Sequence, residues 1–184
     1  MTQGTLVNFI TYRDHKLMQR VNGWYPPRWV RLWALWATRA GDGWLWWALG
    51  IAILLFGGPE RWVAVGSTAL TVGAGILLFR MIKKTTGRRR PHMFKPNCWV
   101  TLLPPDQFSF PSGHTITAFA VAVTMSRFYH DLTAMLLFFA VSIAVSRILL
   151  GMHFLSDVLA GVAIGTGLAF IATSIVLPAI RIAA

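Results

Sequence analysis

Five apolar stretches occupy most of the chain from residue 44 to residue 177, and they set what it can fold into. They cover 44–58, 62–82, 115–128, 132–150 and 154–177. A helix needs about 20 apolar residues to cross the hydrocarbon core of a bilayer, with about 17 tolerated. The second, fourth and fifth stretches reach that length outright. The first and third reach it only if flanking residues extend them, with Trp44, Trp46, Trp47 and Tyr129 as interfacial anchors. Hydrocarbon offers the backbone no hydrogen-bond partner and no stretch alternates like a strand, so each is expected to be helical. The expected class is an all-α, polytopic membrane protein of about five transmembrane helices, six being possible, with the last closed by Pro178. Gly73, Gly75, Gly161, Gly165 and Gly167 are small residues that let such helices approach closely.

The chain carries 17 Lys and Arg against 6 Asp and Glu, yet only 12% of its residues are charged. A nucleic-acid binder needs a solvated basic face over a modest core, and too little polar surface is present to build one. Disorder is excluded by the 55% apolar content. The positive excess is therefore expected to meet phosphate-bearing lipids, or the surface of one leaflet. Residues 1–43 interleave Trp24, Trp29, Trp33 and Trp36 with Arg28, Arg31 and Arg39, which suits amphipathic helices lying in the headgroup layer. A sixth span there would bury Arg28 and Arg31 at considerable cost. The expected organisation is an interfacial segment 1–43 ahead of a transmembrane domain 44–184. Arg13, Asp14, His15, Lys16 and Arg20 interrupt any signal-peptide core before Trp24. Cys98 is the only cysteine, which excludes an intrachain disulfide and a cysteine-based metal site.

The connection 83–112 is long for two membrane helices, and loops of that length are usually functional or disordered. It opens with Lys83-Lys84-Thr85-Thr86-Gly87-Arg88-Arg89-Arg90-Pro91 and closes on Pro111-Ser112-Gly113-His114. A third polar segment, Ser146-Arg147 through Gly151-Met152-His153 to Ser156-Asp157, straddles the fourth and fifth stretches. Helices that alternate in direction would bring all three to one face of the membrane. There Ser112 can cap the third helix, and the free N–H groups behind it, with Gly113, make an anion site. Lys83, Arg90 and Arg147 add three cations, the arginines with forks suited to phosphate oxygens. His153 and Asp157, four apart, would share one face of a helix, the carboxylate orienting the imidazole. With His114 as a second imidazole, one histidine can attack phosphorus while the other protonates the leaving oxygen.

Each piece also has a plainer reading. The Lys/Arg run can be a headgroup contact, Pro-Ser-Gly a turn and cap, and His153–Asp157 a structural pair. The conjunction favours chemistry. A Ser112–His153–Asp157 hydrolase triad would leave the three cations idle, since an oxyanion needs only two donors. A zinc site from His92, His114, His153 and Asp157 would be repelled by those cations, so neither metal nor other cofactor is expected.

Taken together, the three segments resemble the type 2 phosphatidic acid phosphatase family. Its pattern is Lys-x6-Arg-Pro, then Pro-Ser-Gly-His, then Ser-Arg-x5-His-x3-Asp, matched here from Lys83 to Asp157 without substitution. The resemblance implies a helical bundle shared with vanadium-dependent haloperoxidases and metal-independent dephosphorylation of lipids. It implies His153 as nucleophile, Asp157 as its partner and His114 as general acid, with Lys83, Arg90, Ser112, Gly113 and Arg147 holding the phosphate. Lys84 and Arg88 fall outside the pattern and read as surface charge. Implied substrates are undecaprenyl pyrophosphate first, then phosphatidylglycerophosphate, phosphatidic acid or lipid A phosphates. A lipid phosphotransferase using the same intermediate, or an anion-binding scaffold or transporter, are the alternatives. The implied location is the inner membrane of a bacterium. There the resemblance points the site outward, whereas the positive-inside rule would point it inward, because only Arg61, Arg127 and Arg181 lie on the opposite side. Oligomeric state is not legible.

Overall fold

Where lipid replaces water, a backbone satisfies its own hydrogen bonds, and the apolar stretches do so as helices. The computed structural model describes residues 3–93 and 107–183. Lys95, Cys98 and Pro104-Pro105 lie outside them, as does the side chain of His92. Seven α-helices span the described residues: α1 (Gln3–Gly23), α2 (Arg28–Ala40), α3 (Trp44–Phe56), α4 (Arg61–Thr86), α5 (Gly113–Phe128), α6 (Thr133–Leu149) and α7 (Leu155–Ala183).

Three of them are long and apolar enough to cross a membrane: Arg61–Thr86, Leu155–Ala179, and α6 extended back through a 3-10 turn as His130–Leu149. The first and third stretches gain less from their flanks than expected. Helix α3 stops after 13 residues, about 20 Å at 1.5 Å per residue, because Gly57 ends it and Tyr129 donates a hydrogen bond to the Gly57 carbonyl. Helix α5 runs 16 residues and is the centre of the bundle, flanked by α4, α6 and α7. Pro178 does not close α7. The helix continues past it to Ala183.

The core is built from small residues and back-bonded hydroxyls. Ala118, Ala120 and Ala122 on α5 are fully buried, beside Phe119, Val121, Leu136, Ile143 and Val158. Thr68, Thr71 and Thr173 donate to the carbonyl four residues earlier and so bring no unsatisfied polar group into the interior. Exposed Ile51, Leu55, Phe56, Leu70, Leu77, Phe138, Ile171 and Ile175 face outward, as a lipid-facing belt requires. Helix α2 buries Val30, Ala34 and Thr38, one face at a spacing of four, and leaves Arg28, Trp29, Arg31, Leu32, Trp36 and Arg39 outside. That buried face seats on α6 and on Leu150 and Met152 beyond it.

Dispersion at close range drives association of helices in lipid. A Cβ on Gly165 would lie 2.5 Å from the Ile116 carbonyl oxygen, and one on Gly161 2.9 Å from Thr115 Cβ. Gly75 meets Ile116 in the same way. Gly73 and Gly167 have nothing within 4 Å, so the expectation holds for three of the five glycines. Gly165→Ala is therefore expected to lower thermal stability in detergent by roughly 1–3 kcal/mol, the usual cost of overpacking. Gly167→Ala should leave the transition unmoved.

Candidate active site

The C-terminal ends of α4 and α6 and the N-terminal ends of α5 and α7 meet at one end of the bundle, with the turn 41–43 between α2 and α3. They enclose a cavity of about 610 Å³. Lys83, Arg90, Gly113, His114, Arg147 and His153 line its charged end. Trp46, Val65, Val72, Val121 and Met125 continue it as an apolar groove between α3, α4 and α5. Six of the eight residues singled out in the sequence thus share one cavity. Ser112 and Asp157, both fully buried, stand behind its wall.

His153 lies in the turn before α7, which begins at Leu155, so it does not share a helical face with Asp157 as expected. Gly151, at φ +64, makes that turn possible. The His153 ring is 1% exposed, and both its nitrogens are engaged. Nδ1 lies 2.6 Å from the Ser109 carbonyl oxygen, and Nε2 lies 3.2 Å from Arg90 Nη1. A carbonyl only accepts and a guanidinium only donates, so the tautomer follows. Nδ1 carries the proton, and the Nε2 lone pair accepts from Arg90 at the cavity wall. Burial, with Arg147 and Arg90 adding repulsion, holds the imidazole well below the ordinary histidine range and keeps it neutral. The Asp157 carboxylate is 3.7 Å from Nδ1, outside hydrogen-bond reach. The expected direct His153–Asp157 bond is replaced by the Ser109 carbonyl.

Asp157 is occupied elsewhere. It is the third residue of α7, and Oδ2 accepts the backbone N–H of Phe154 at 2.8 Å, as a capping-box acid does. Oδ1 accepts from Arg88 Nη1 at 2.7 Å. The same guanidinium reaches Ser156 Oγ at 2.6 Å and Asp14 Oδ2 on α1 at 2.7 Å, and it stacks 4.3 Å from the Phe154 ring. Arg88 is therefore not the surface charge its position outside the motif suggested. Its fork joins α1, the loop after α4 and the start of α7, a geometry that a spacing rule cannot reveal.

Ser112 occupies the N-cap position of α5 but makes no side-chain cap. Its hydroxyl accepts from Thr115 Oγ1 at 2.9 Å, and its N–H donates to the Asp157 backbone oxygen, tying α5 to α7. Arg147 is 5% exposed and donates to Thr38 Oγ1 at 2.5 Å. Arg90 also donates to the Met152 carbonyl at 2.9 Å. His114 Nε2 lies 2.9 Å from Asp42 Oδ1. That hydrogen bond, with Arg147 and Arg39 nearby, holds the Asp42 carboxyl below the usual carboxylate range. The pairings of Asp14, Thr38 and Asp42 are not legible in the sequence because each precedes its partner by 72 residues or more.

The arrangement can hold a tetrahedral oxyanion between fixed cations, with a neutral imidazole lone pair on one side and a second imidazole nearby. Among the described residues no cluster of His, Cys, Asp or Glu has the makings of a metal site.

Comparison with known proteins agrees with this geometry. Residues 62–181 match the PAP2 superfamily. The chain is 37% identical to the decaprenylphosphoryl-5-phosphoribose phosphatase of Mycobacterium tuberculosis over 133 residues, 72% of this chain and 71% of the relative. Its structure superposes on that of LpxE from Aquifex aeolicus with a TM-score of 0.73 at 27% identity, covering 86% of this chain and 93% of the other. It also superposes on the transmembrane PAP2 type phosphatidylglycerolphosphate phosphatase of Bacillus subtilis, with a TM-score of 0.70 at 22% identity over 91% and 86%; that likeness concerns the fold alone. Motif, cavity and likeness agree, and this multi-pass membrane chain belongs to the PAP2 superfamily.

Proposed function

We propose that the cavity removes a phosphate from a lipid headgroup through a phosphohistidine on His153. The chain is a PAP2-type lipid phosphate phosphatase, and the proposal concerns which residues act and on which lipid. The observation that carries it is the shape of the cavity, cationic where His153 and His114 face it and apolar where it runs on between α3, α4 and α5. A phosphate monoester of about −1.5 to −2 charges suits the first part and a hydrocarbon tail the second.

The chemistry then takes two steps. His153 Nε2 attacks phosphorus, the bond to the leaving oxygen breaks, and His114 supplies that oxygen with a proton. Water next attacks the phosphohistidine, gives its proton to His114, and frees inorganic phosphate with His153 restored. Lys83, Arg90, Arg147 and the N–H groups around Gly113 stabilise charge on the phosphoryl oxygens in transit. Ser112 and Asp157 act from behind, the first by joining α5 to α7 and the second by fixing the start of α7.

The likeness to a decaprenylphosphoryl-5-phosphoribose phosphatase supports a phosphorylated headgroup on a polyprenyl carrier as the first substrate to test, ahead of undecaprenyl pyrophosphate. The reading also includes five bilayer-embedded helices, α3 to α7, with α1 and α2 in the headgroup layer and the site facing outward. The exposed Arg28, Trp29, Arg31 and Trp36 support that placement, since they can hold anionic headgroups rather than set topology.

Four outcomes test this reading. Purified protein should release phosphate from a polyprenylphosphoryl sugar phosphate, and His153→Ala should cut that rate by more than about a thousandfold while the protein stays folded. Because His153 is held neutral, the acid limb of kcat/KM that it causes should lie below pH 6.5, once the substrate's own ionisation near pH ~6 is allowed for. Arg88→Ala strips the buried Asp157 of its cation, so it should cost on the order of 3 kcal/mol in thermal unfolding. Exposed Lys84→Ala should cost nothing measurable. For sidedness, Phe108→Cys in a Cys98→Ser background should be labelled in intact spheroplasts by a membrane-impermeant thiol reagent; protection until lysis would turn the site inward.

A further inference from the structure

Asp42 is the one carboxylate among the described residues that line the cavity, in the company of Arg80, Lys83, Arg90 and Arg147. It precedes residue 62, where the superfamily match begins. The turn that carries it is shaped for closeness to His114. A Cβ on Gly41 would lie 3.1 Å from His114 Cδ2 and 2.9 Å from Ile143 Cγ2, so a larger residue there would push those side chains away. Gly43, at φ +116, then redirects the chain into α3. Just before the turn, Thr38 accepts from Arg147, which pins the end of α2 to the same site.

We propose that Asp42 is a positioning residue for His114, holding the imidazole in its proton-donating form. This rests on the reading of His114 as the general acid. The charged and titratable groups that share the cavity with His114 are Arg147 from α6, Arg90 from the loop after α4, Arg80 and Lys83 from α4, His153 from the turn before α7, and Asp42. All but Asp42 are cations or a neutral imidazole. Cations that bind phosphate oppose a further positive charge beside them, and at ~4 Å a single opposite charge offsets much of that opposition. A carboxylate can only accept, so its bond to Nε2 also keeps a proton on that nitrogen through the catalytic cycle. The same negative charge weakens phosphate binding slightly. The turn at the end of α2 thus trades affinity for proton supply.

The test compares Asp42→Asn and His114→Ala on two substrates, dioctanoyl phosphatidic acid and p-nitrophenyl phosphate. The alkoxide of the first needs a proton to leave and the phenolate of the second does not. Asp42→Asn should lower kcat on the lipid about tenfold or more, a share of the ~10²–10⁴ that general acid catalysis supplies. It should leave KM equal or lower, and shift the alkaline limb of kcat toward acid. On the aryl phosphate kcat should change less than about threefold. In a His114→Ala background Asp42→Asn should add no further leaving-group dependence. Equal losses on both substrates with an unmoved pH limb, or no loss at all, overturn the inference if His114→Ala alone spares the aryl phosphate. Should His114→Ala strike both substrates equally, the general-acid reading itself is overturned and the inference with it.

Discussion

The His153 imidazole is clamped between an obligate acceptor and an obligate donor, and much of the site depends on that clamp. The Ser109 carbonyl takes the Nδ1 proton and Arg90 faces the Nε2 lone pair. Neither partner can reverse its role, so the ring has a single tautomer and a single direction. Ser109 is itself held, because its N–H donates to the Arg88 carbonyl and its hydroxyl lies against the same stretch. The loop after α4 and the turn before α7 are therefore ordered by the residue they jointly orient.

The ends of four helices supply the remaining charge pattern. Helix α5 starts at the site, where helix N-termini favour anions, α7 starts beside it with its first N–H groups taken by Asp157 and Asp14, and α4 and α6 end there with Lys83 and Arg147 in their last turns. Carboxylates then divide the labour. Asp157 and Asp14 serve the start of α7 and share the single Arg88 guanidinium between them. Among the described residues Asp42 is the one carboxylate that lines the cavity. Negative charge inside an anion site is costly, and this carboxylate is held there by its hydrogen bond to His114.

Helices α1 and α2 join two roles that the sequence kept apart. Their outer faces carry aromatic rings and arginines suited to headgroups, with Arg13 over Phe9 and Lys16 over Tyr12. Their inner faces deliver Asp14, Thr38 and Asp42 to Arg88, Arg147 and His114. His15 packs edge-on against Phe154, one residue from His153. The N-terminal helices are thereby in contact with the end of the bundle that carries the cavity.

Apolar length and motif spacing determined the helical membrane class and brought Lys83, Arg90, Gly113, His114, Arg147 and His153 together in advance, because both are local properties of the chain. The same spacing misled for His153 and Asp157. Four residues apart implies one helical face only if the helix includes both, and α7 starts after His153. Arg88 and Ser112 show the second limit. A side chain's neighbours across the bundle determine whether a basic residue is surface charge or the centre of an ion-pair network, and whether a serine caps a helix or accepts from Thr115. Asp14, Thr38 and Asp42 show the third. Their partners lie at least 72 residues away, and only the seating of α1 and α2 on the bundle decides which carboxylate meets which cation. Periodicity records what a residue does to its own helix; charge pairing between helices depends on distances that exist only once the chain has folded.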